Sequence, residues 1–402
     1  MSQEERRRKL KEMIKKLHEG ADPEAVKERF KDLIRGIDAE DVARLEEELI
    51  KEGMSREEIR RLCDVHLLVF KEALEGEGRL APVDHPVGTL MEEHRVLLEN
   101  AQSLVKVLAG LSRPDQAGLM GAQTEHVEHI IKHFKDSEKH YLREENVLFP
   151  YIEKHGVTEP PKIMWMEHDE IRRLKKSLYS LVDDRSGASV TEWAKRLQPV
   201  AEQLASMLSS HFGKENNVLF PMALKLFSKD EWEAVTREFD EIGYCCFTPP
   251  RVVARARGVT EPAPAATVSE EVVAFRTGKL TVEELNAILN TLPVDISFVG
   301  KDDTVRYFSD NKDRIFVRTT AVLGRKVQQC HPQKSVDRVE QILNDFKQGK
   351  RDVAEFWINL SGRMVHIRYF PVRSPKGEYL GCLEVTQDIT QIRTLTGEKR
   401  LL

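Results

Sequence analysis

Between residues 87 and 226 the chain alternates long amphipathic stretches with short breaks. Apolar side chains recur within each stretch every three or four residues, which is the spacing of one face of an α-helix. Four such helices joined by short connections are expected to pack as antiparallel neighbours in a bundle. We predict a bundle domain over residues 84–230, with its helices at 87–110, 115–153, 161–184 and 189–226.

The chain shows a different pattern on each side of this bundle. Residues 1–76 are highly charged, with apolar positions at helical spacing, and predict a domain of short helices. Residues 248–270 are rich in proline and predict an exposed, partly extended linker. Residues 279–392 contain β-branched and aromatic runs separated by turn residues, and they predict a C-terminal α+β module with one antiparallel sheet. The fold class of the whole chain is therefore multidomain and mainly α. Strands are expected at 295–300, 304–308, 353–360, 363–372 and 379–389, with helices near 281–290 and 333–347.

The composition argues against several classes of protein. A formal net charge of −5 over 402 residues does not favour nucleic acid or an anionic membrane as a partner. Five cysteines form no disulfide framework, which suits a reducing cytosol. No apolar run approaches about 18 residues and no signal sequence follows the first methionine, so we expect a soluble cytoplasmic protein. Histidine is unevenly distributed, because nine of the thirteen lie between His85 and His211.

The strongest chemical signal is an internal repeat. The eleven residues from His140 to Pro150 match those from His211 to Pro221 at seven positions, including the histidine and a glutamate four residues later. Each copy is preceded by a Glu-His pair, whose histidine lies 46 or 43 residues upstream. We infer that the bundle is a duplicated helix pair, in which each half contributes a histidine and then His-x-x-x-Glu.

The spacing of this repeat favours a metal site in the bundle interior. Residues four apart lie one turn apart on the same helix face, so the histidine and glutamate of each copy can point at one spot. With the two upstream histidines, the interior receives four imidazoles and two carboxylates, a set that suits iron or manganese better than a thiolate-seeking ion. The alternative is six polar residues on solvated helix faces, which the duplication disfavours. The candidate metal ligands are His94, His140, Glu144, His168, His211 and Glu215.

A histidine followed by His-x-x-x-Glu, present twice, resembles the hemerythrin-like HHE cation-binding domain, and the spacing is similar to that of di-iron proteins implicated in the repair of iron centres. The resemblance implies a non-haem centre of two iron ions. His94 and His140 would bind one iron, His168 and His211 would bind the other, and Glu144 and Glu215 would bridge the two. The oxygen-carrying hemerythrins have a further histidine where this chain has Arg172. Fewer protein ligands leave open coordination positions, which implies reaction or sensing rather than oxygen storage.

Both flanks also resemble known families. Residues 13–75, with Leu17-His-Glu-Gly20 and Ile59-Arg-Arg-Leu-Cys-Asp-Val-His66, are similar to the DUF438 domain. Residues 281–390 resemble a PAS domain through Leu323-Gly-Arg325, Cys330-His-Pro332 and Asp388-Ile-Thr390. The whole chain is similar to DUF438–hemerythrin–PAS proteins. The PAS-like module implies a sensory or dimerising role, and its cofactor, if it has one, stays unknown.

Other side chains near the repeat have both a functional and a structural explanation. His126, His129 and His133 fall on the helix face that carries the first copy of the repeat. They could form a second metal site or a proton path, although a polar helix edge is commoner. Glu167 and Asp169 flank a candidate ligand and could orient it or move protons.

The remaining candidates are favoured as structural residues. Cys245 and Cys246 could have a redox or metal role just past the bundle, but two small buried apolar residues are commoner. His331 and His366 in the PAS-like module could bind haem, although no spacing requires it. Structural roles are also favoured for His85, Cys63 and His66.

These observations support two hypotheses of function. The first is a cytoplasmic sensor or stress-response protein whose di-iron site binds or reacts with dioxygen, nitric oxide or peroxide. Its PAS-like module would relay the signal to a partner or to a second copy of the chain. The alternative is an enzyme or iron-handling protein that reduces nitric oxide or peroxide, or donates iron to damaged iron centres. Neither hypothesis involves nucleic acid or a membrane.

Overall fold

The chain folds into two compact units, Met1–Gly258 and Val259–Leu402. The computed structural model describes residues 3–18, 20–29, 47–55, 80–113, 120–184, 188–258, 272–311 and 314–399. Helices α1 (Gln3–His18) and α2 (Pro23–Arg29) agree with the short helices predicted for the N-terminal region. Cys63 and His66 lie outside the described residues.

The first unit is dominated by the predicted helical bundle. Its long helices bury one apolar face each in a common core, which includes Leu97, Leu104, Ile171, Leu204 and Leu208. The bundle helices and those that follow are α3 (Pro86–Leu111), α4 (Met120–Asp136), α5 (Glu138–Arg143), α6 (Phe149–Lys154), α7 (Glu159–Asp183), α8 (Val190–Lys214), α9 (Phe220–Leu226), α10 (Lys229–Ile242) and α11 (Pro250–Gly258).

A π-helical turn follows each copy of the repeated histidine, at Glu144–Leu148 and at Glu215–Leu219. Both turns precede a proline, Pro150 or Pro221, which lacks an N–H donor and whose ring crowds the carbonyl four residues earlier. The wider spacing of a π turn accommodates this defect without ending the helix. The sequence predicted continuous α-helix here, and the shared Asn-Val-Leu-Phe-Pro segment was the signal of the interruption.

Two segments after the bundle differ from the prediction. Helix α10 was not predicted, although Ser228 and Glu231 form a capping box that marks its start. Residues 248–270 were predicted as an exposed, partly extended linker, whereas residues 250–258 of this stretch form α11 and bury Val252. Pro250 fits at the first position of that helix, where a missing N–H costs nothing.

The second unit is an α+β module with a five-stranded antiparallel sheet, as predicted. Its strand order is β4-β3-β7-β6-β5, and its core packs Leu343 and Phe346 of a helix against the sheet. A two-stranded hairpin precedes the sheet and was not predicted. The elements are β1 (Val272–Phe275), β2 (Gly278–Thr281), α12 (Val282–Thr291), β3 (Asp295–Gly300), β4 (Val305–Phe308), α13 (Gln333–Lys347), β5 (Ala354–Leu360), β6 (Arg363–Arg373) and β7 (Tyr379–Asp388).

Candidate metal centre

The six residues predicted as ligands meet in the interior of the bundle. They come from four helices and the two π turns, and all are buried, with no more than 1% of the residue surface exposed. Their ligand atoms form two groups, within each of which all atoms lie within 4.8 Å of one another. The groups are His94, His140, Glu144 and Glu215, and Glu144, His168, His211 and Glu215.

Glu215 reaches histidines of both groups. Its Oε2 lies 3.2 Å from Nε2 of His94, and its Oε1 lies 3.2 Å from Nε2 of His211. The same Oε1 lies 3.8 Å from Nε2 of His168. A carboxylate placed in this way can bridge two cations, one held by each group.

Glu144 occupies the equivalent position from the other half of the repeat. Its Oε2 lies 3.5 Å from Nε2 of His140 and 3.4 Å from Nε2 of His168. The two carboxylates therefore belong to both groups, whereas each imidazole belongs to one.

The polar atoms at the centre of this arrangement lack hydrogen-bond partners among the described residues. They are both carboxylate oxygens of Glu144 and of Glu215, and Nε2 of His168 and of His211. Burying unsatisfied polar and charged atoms is costly, and a bound cation would remove that cost. Imidazole and carboxylate donors fit non-haem iron.

The second nitrogen of each repeated histidine is held by the glutamate of the Glu-His pair that precedes it in the same half of the duplication. Nδ1–H of His140 donates to Oε2 of Glu93 at 2.7 Å, and Nδ1–H of His211 donates to Oε2 of Glu167 at 2.8 Å. A carboxylate can only accept, so each bond leaves the lone pair of Nε2 directed toward the centre. Glu167 thus orients His211, the histidine of the neighbouring helix, rather than the adjacent His168.

The two upstream histidines are oriented across the duplication. Nδ1 of His168 donates to Oε1 of Glu145 at 2.8 Å, and Nδ1 of His94 lies 3.0 Å from Oδ1 of Asn216. Glu145 and Asn216 occupy equivalent positions, one residue after each candidate bridge. Each half of the repeat therefore positions a histidine of the other half.

Arginine side chains keep the outer carboxylates charged. Burial raises the pKa of the Glu93 carboxyl, but the guanidinium of Arg143 and the hydrogen-bonded ring of His140 together outweigh burial and lower the pKa to about 2. Burial acts in the same direction on Glu145, where Arg172 and His168 together outweigh it and also bring the pKa to about 2. Both carboxylates are therefore ionised acceptors at neutral pH, as the histidine Nδ1–H groups require.

Arg172 fills the position at which oxygen-carrying hemerythrins have a further histidine. Its guanidinium lies 2.7 Å from Oε1 of Glu145 and 2.7 Å from Oε1 of Glu138. The positions equivalent to Arg172 and Glu145 are the uncharged Leu98 and Asn216. Arg172 thus balances the charge of Glu145, and the two halves of the centre differ in charge around it.

The Glu93 side is completed by Arg143, which lies within the first copy of the repeat, and by residues 244–248, which lie beyond it. The buried Arg143 donates to Glu93 at 2.6 and 2.8 Å, and its guanidinium also lies 3.8 Å from Sγ of Cys245. The ring of Tyr244 covers the same guanidinium at 4.8 Å, and the Thr248 hydroxyl donates to Glu93. Cys245 was a candidate for a redox or metal role, but no periodicity marks residues 244–248, and only the tertiary contacts place them beside Glu93 and Arg143.

These contacts bear on how much of the chain the bundle needs. We predict that residues 84–230 alone fold and bind metal, because the common core lies within them. A fragment of residues 80–258 should melt about 10 °C higher, since it also buries Val235, Phe239 and Thr248. Thermal unfolding of the two fragments with equal iron would measure this difference. Equal melting temperatures would mean that α10 and the segment after it contribute nothing to the bundle.

Three families match separate parts of the chain. Residues 85–223 match the hemerythrin HHE cation-binding domain. The bundle is hemerythrin-like. Residues 10–76 match the family of unknown function DUF438, and residues 285–390 match a PAS domain.

The relatives of the chain include iron-sulfur cluster repair proteins. The iron-sulfur cluster repair protein YtfE of Escherichia coli O8 (strain IAI1) is 26% identical over 192 residues, which are 43% of this chain and 84% of that protein. The protein of the same name from Salmonella schwarzengrund (strain CVM19633) is 24% identical with the same coverage.

Two solved structures each match a smaller part of the chain. A C-terminal domain from Streptococcus mutans is 36% identical and covers 32% of this chain and 98% of its own, with a TM-score of 0.30. A PAS domain from Colwellia psychrerythraea is 10% identical and covers 27% of this chain and 98% of its own, with a TM-score of 0.23. TM-scores this low support no structural argument.

The additional histidines of the hemerythrin-like bundle have partners on a neighbouring helix. His126 Nε2 lies 2.9 Å from Oγ of Ser103, and His133 Nδ1 lies 3.0 Å from Nδ2 of Asn100. The rings of His129 and His133 are 4.4 Å apart. Among the described residues, only the two groups at the centre bring together three or more side chains that could hold a metal. His126, His129 and His133 therefore do not form a further group.

The other candidates lie apart from the centre or beside it. His85 caps α3, where its Nδ1 accepts from the N–H of Val87 at 3.2 Å. Cys245 is buried against Arg143, whereas Cys246 is exposed. In the second unit, burial lowers the pKa of His331 to about 4, and His366 lies on β6 with its Nε2 3.3 Å from Glu355. Asp169 is half-buried.

None of the helices in the described ranges has the length and apolar composition needed to cross a bilayer.

Proposed function

We propose that this chain is a cytoplasmic non-haem di-iron protein that binds or senses dioxygen, nitric oxide or peroxide and relays the event through its PAS-like domain. A hemerythrin-like domain, a PAS domain and relatives in iron-sulfur cluster repair together support an iron-handling or sensing protein. The finer statement rests on the geometry of the six buried donors.

The observation that carries the proposal is the number of protein ligands available to each cation. Each group offers two imidazoles and a share of two carboxylates, all of them buried. Two histidines with carboxylate and open positions are the pattern of non-haem iron that reacts with small oxidants. Bound iron would supply electrons and open positions for such an oxidant.

The protein side chains would set where that iron lies and how it reacts. Glu144 and Glu215 would bridge, and the four histidines would bind through Nε2. The acceptors on Nδ1 hold each ring in place, which is the role of outer partners in metal sites. All six candidate ligands are buried, so a charged centre would interact with its carboxylates more strongly than it would in water.

The alternative is an iron-handling protein or a di-iron enzyme. It is favoured by the likeness to proteins named for iron-sulfur cluster repair. In this case the centre would donate iron to a damaged cluster, or reduce nitric oxide or peroxide with turnover. The PAS-like domain would then regulate the reaction, through a partner or a homodimer.

Metal analysis and visible spectroscopy of the full chain would test the proposal. After anaerobic loading with ferrous iron, we expect two iron ions per chain and a new absorption band on addition of nitric oxide or dioxygen. Stoichiometric binding with a change in sedimentation would support sensing. Multiple turnovers, or iron transfer to an apo iron-sulfur protein, would support the alternative.

Matched histidine variants would show whether the spectrum belongs to this centre. His211→Ala removes a buried candidate ligand and should lose most of the iron. His155→Ala removes a histidine of the same unit whose Nε2 contacts Glu231 at 2.9 Å, and it should retain iron and spectrum. Full iron content in His211→Ala would contradict the proposed site.

A further inference from the structure

Lys175 is a buried amine in the interior of the hemerythrin-like bundle. Only 4% of its surface is exposed, and it makes no ion pair with any described residue. Its Nζ donates to Oγ of Ser137 at 2.6 Å and to Oη of Tyr141 at 3.2 Å. An amine buried without a carboxylate is costly, so its presence requires an explanation.

The duplication provides an internal comparison for this polar group. Ser137 and Tyr141 of the first half correspond to Leu208 and Phe212 of the second, and Lys175 of the second half corresponds to Ala101 of the first. All three counterparts are buried in the core, so the equivalent place in the duplication is fully apolar. The fold itself does not require a polar group at this place.

Tyr141 lies between Lys175 and the candidate ligands. Its ring centroid is 4.7 Å from that of His168 and 5.3 Å from that of His140, one histidine from each group. The residue is fully buried, and its hydroxyl accepts the hydrogen bond from Lys175. Tyr141 is therefore the residue that contacts both the amine and the histidines of the centre.

We propose that Lys175, acting through the Tyr141 hydroxyl, supplies a proton to a small oxidant bound at the centre. This inference rests on the proposed function. Bound ferrous iron would supply the electrons that leave a negatively charged oxygen on the oxidant. The phenolic proton of Tyr141 would pass to that oxygen while the Lys175 ammonium passes a proton to Oη of Tyr141. The phenol would thereby be regenerated, Lys175 would become a neutral amine, and solvent would return a proton to it.

The other buried charged groups described around the centre are already paired. Glu93 is bound by Arg143, Glu145 by Arg172, and Glu167 by the ammonium of Lys214 at 2.6 Å. These carboxylates also accept histidine Nδ1–H groups, so they hold no proton to give. Among these described groups, Lys175 is the buried proton donor that makes no ion pair.

The groups that face Lys175 agree with proton exchange near neutral pH. Burial lowers the pKa of Lys175 to about 7, and Arg172 acts in the same direction, whereas Glu138 and Cys245 oppose it. Tyr141 and Ser137 face it as neutral hydroxyls. A donor with a pKa close to the working pH is efficient in general acid catalysis.

The test compares three variants of the iron-loaded full chain. Lys175→Met removes the donor, Tyr141→Phe introduces the residue found at the equivalent position 212, and Lys176→Met removes the exposed neighbouring amine as a control. We expect Lys175→Met and Tyr141→Phe to slow the protonation-dependent decay of the oxidant adduct about 100-fold, without change in iron content or adduct formation. Lys176→Met should behave as the natural protein.

A second measurement does not depend on reactivity. The unfolded chain binds a proton at Lys175 up to its ordinary pKa of 10.5, whereas the folded chain releases it near pH 7. The unfolded state therefore binds more protons between these values, and stability should rise with pH in this window. We expect Lys175→Met to abolish that rise in melting temperature, and Lys176→Met to keep it.

The outcomes separate this inference from the proposed function. An adduct that decays at the natural rate in Lys175→Met, or an unchanged pH profile of its melting temperature, would overturn the role of Lys175 and leave the di-iron proposal intact. If the natural protein forms no adduct with nitric oxide, dioxygen or peroxide, the proposed function fails and the inference fails with it.

Discussion

Glu144→Ala and Glu215→Ala are each expected to remove most of the iron and to abolish the spectral signature of a coupled pair. Both carboxylates belong to both ligand groups, so each truncation removes a donor from two cations at once. It also leaves positive charge uncompensated in an apolar core, which is costly. The loss in iron affinity should exceed the 10- to 100-fold typical of outer partners, reaching about 100-fold or more.

The two variants should be damaged by comparable amounts, because the duplication places each glutamate one turn after a histidine. Iron content and near-ultraviolet absorption would be measured at matched protein concentration. Glu202→Ala on α8 is a suitable control, since Glu202 is exposed on the helix that carries His211. If one candidate bridge proves dispensable and the other essential, the centre is a single-metal site or an asymmetric pair.

Glu93→Gln should destabilise the bundle more than any other outer substitution. Both Glu93 and Arg143 are completely buried, and the change leaves the guanidinium without a countercharge. Breaking a buried pair in this way costs about 3–5 kcal/mol. Arginine cannot escape this cost by losing its proton.

Glu167→Gln is the matched comparison from the other half of the repeat. Its cationic partner is Lys214, which can release a proton when its carboxylate is lost. We therefore expect a smaller loss of stability in Glu167→Gln, with a similar decrease in iron affinity because each glutamate orients one histidine. Urea unfolding and iron titration of the two variants would measure this difference. Equal losses of stability would show that the partner's ability to lose a proton is unimportant here.

The repeat made the candidate ligands predictable because their geometry is largely local. A histidine and a glutamate four residues apart face the same way on any helix, and the structure places Nε2 of His140 3.5 Å from Oε2 of Glu144. The duplication then indicated that two such faces meet. Their roles as metal ligands stay a prediction until metal content is measured.

The α+β module was predictable for a similar reason. Alternating β-branched residues and turn signals define strands over short distances, and five predicted strands correspond to β3 to β7. The hairpin β1-β2 and helix α10 were missed, as their apolar patterns are short. The π turns were missed because continuous helical periodicity masks one inserted residue.

Tertiary structure alone decided which groups surround the candidate ligands. The bond from Thr248 to Glu93 joins residues 155 positions apart, and that between His94 and Asn216 joins residues 122 apart. No local pattern encodes such pairs, since they depend on how helices from distant parts of the chain pack. Burial of Lys175 beside Tyr141 is of the same kind, because a lysine on an amphipathic helix is expected in solvent until packing encloses it. The sequence thus determined the donor types and their spacing through local helix geometry, whereas the packing of the bundle decided their orientation, their charge balance and the position of the buried amine.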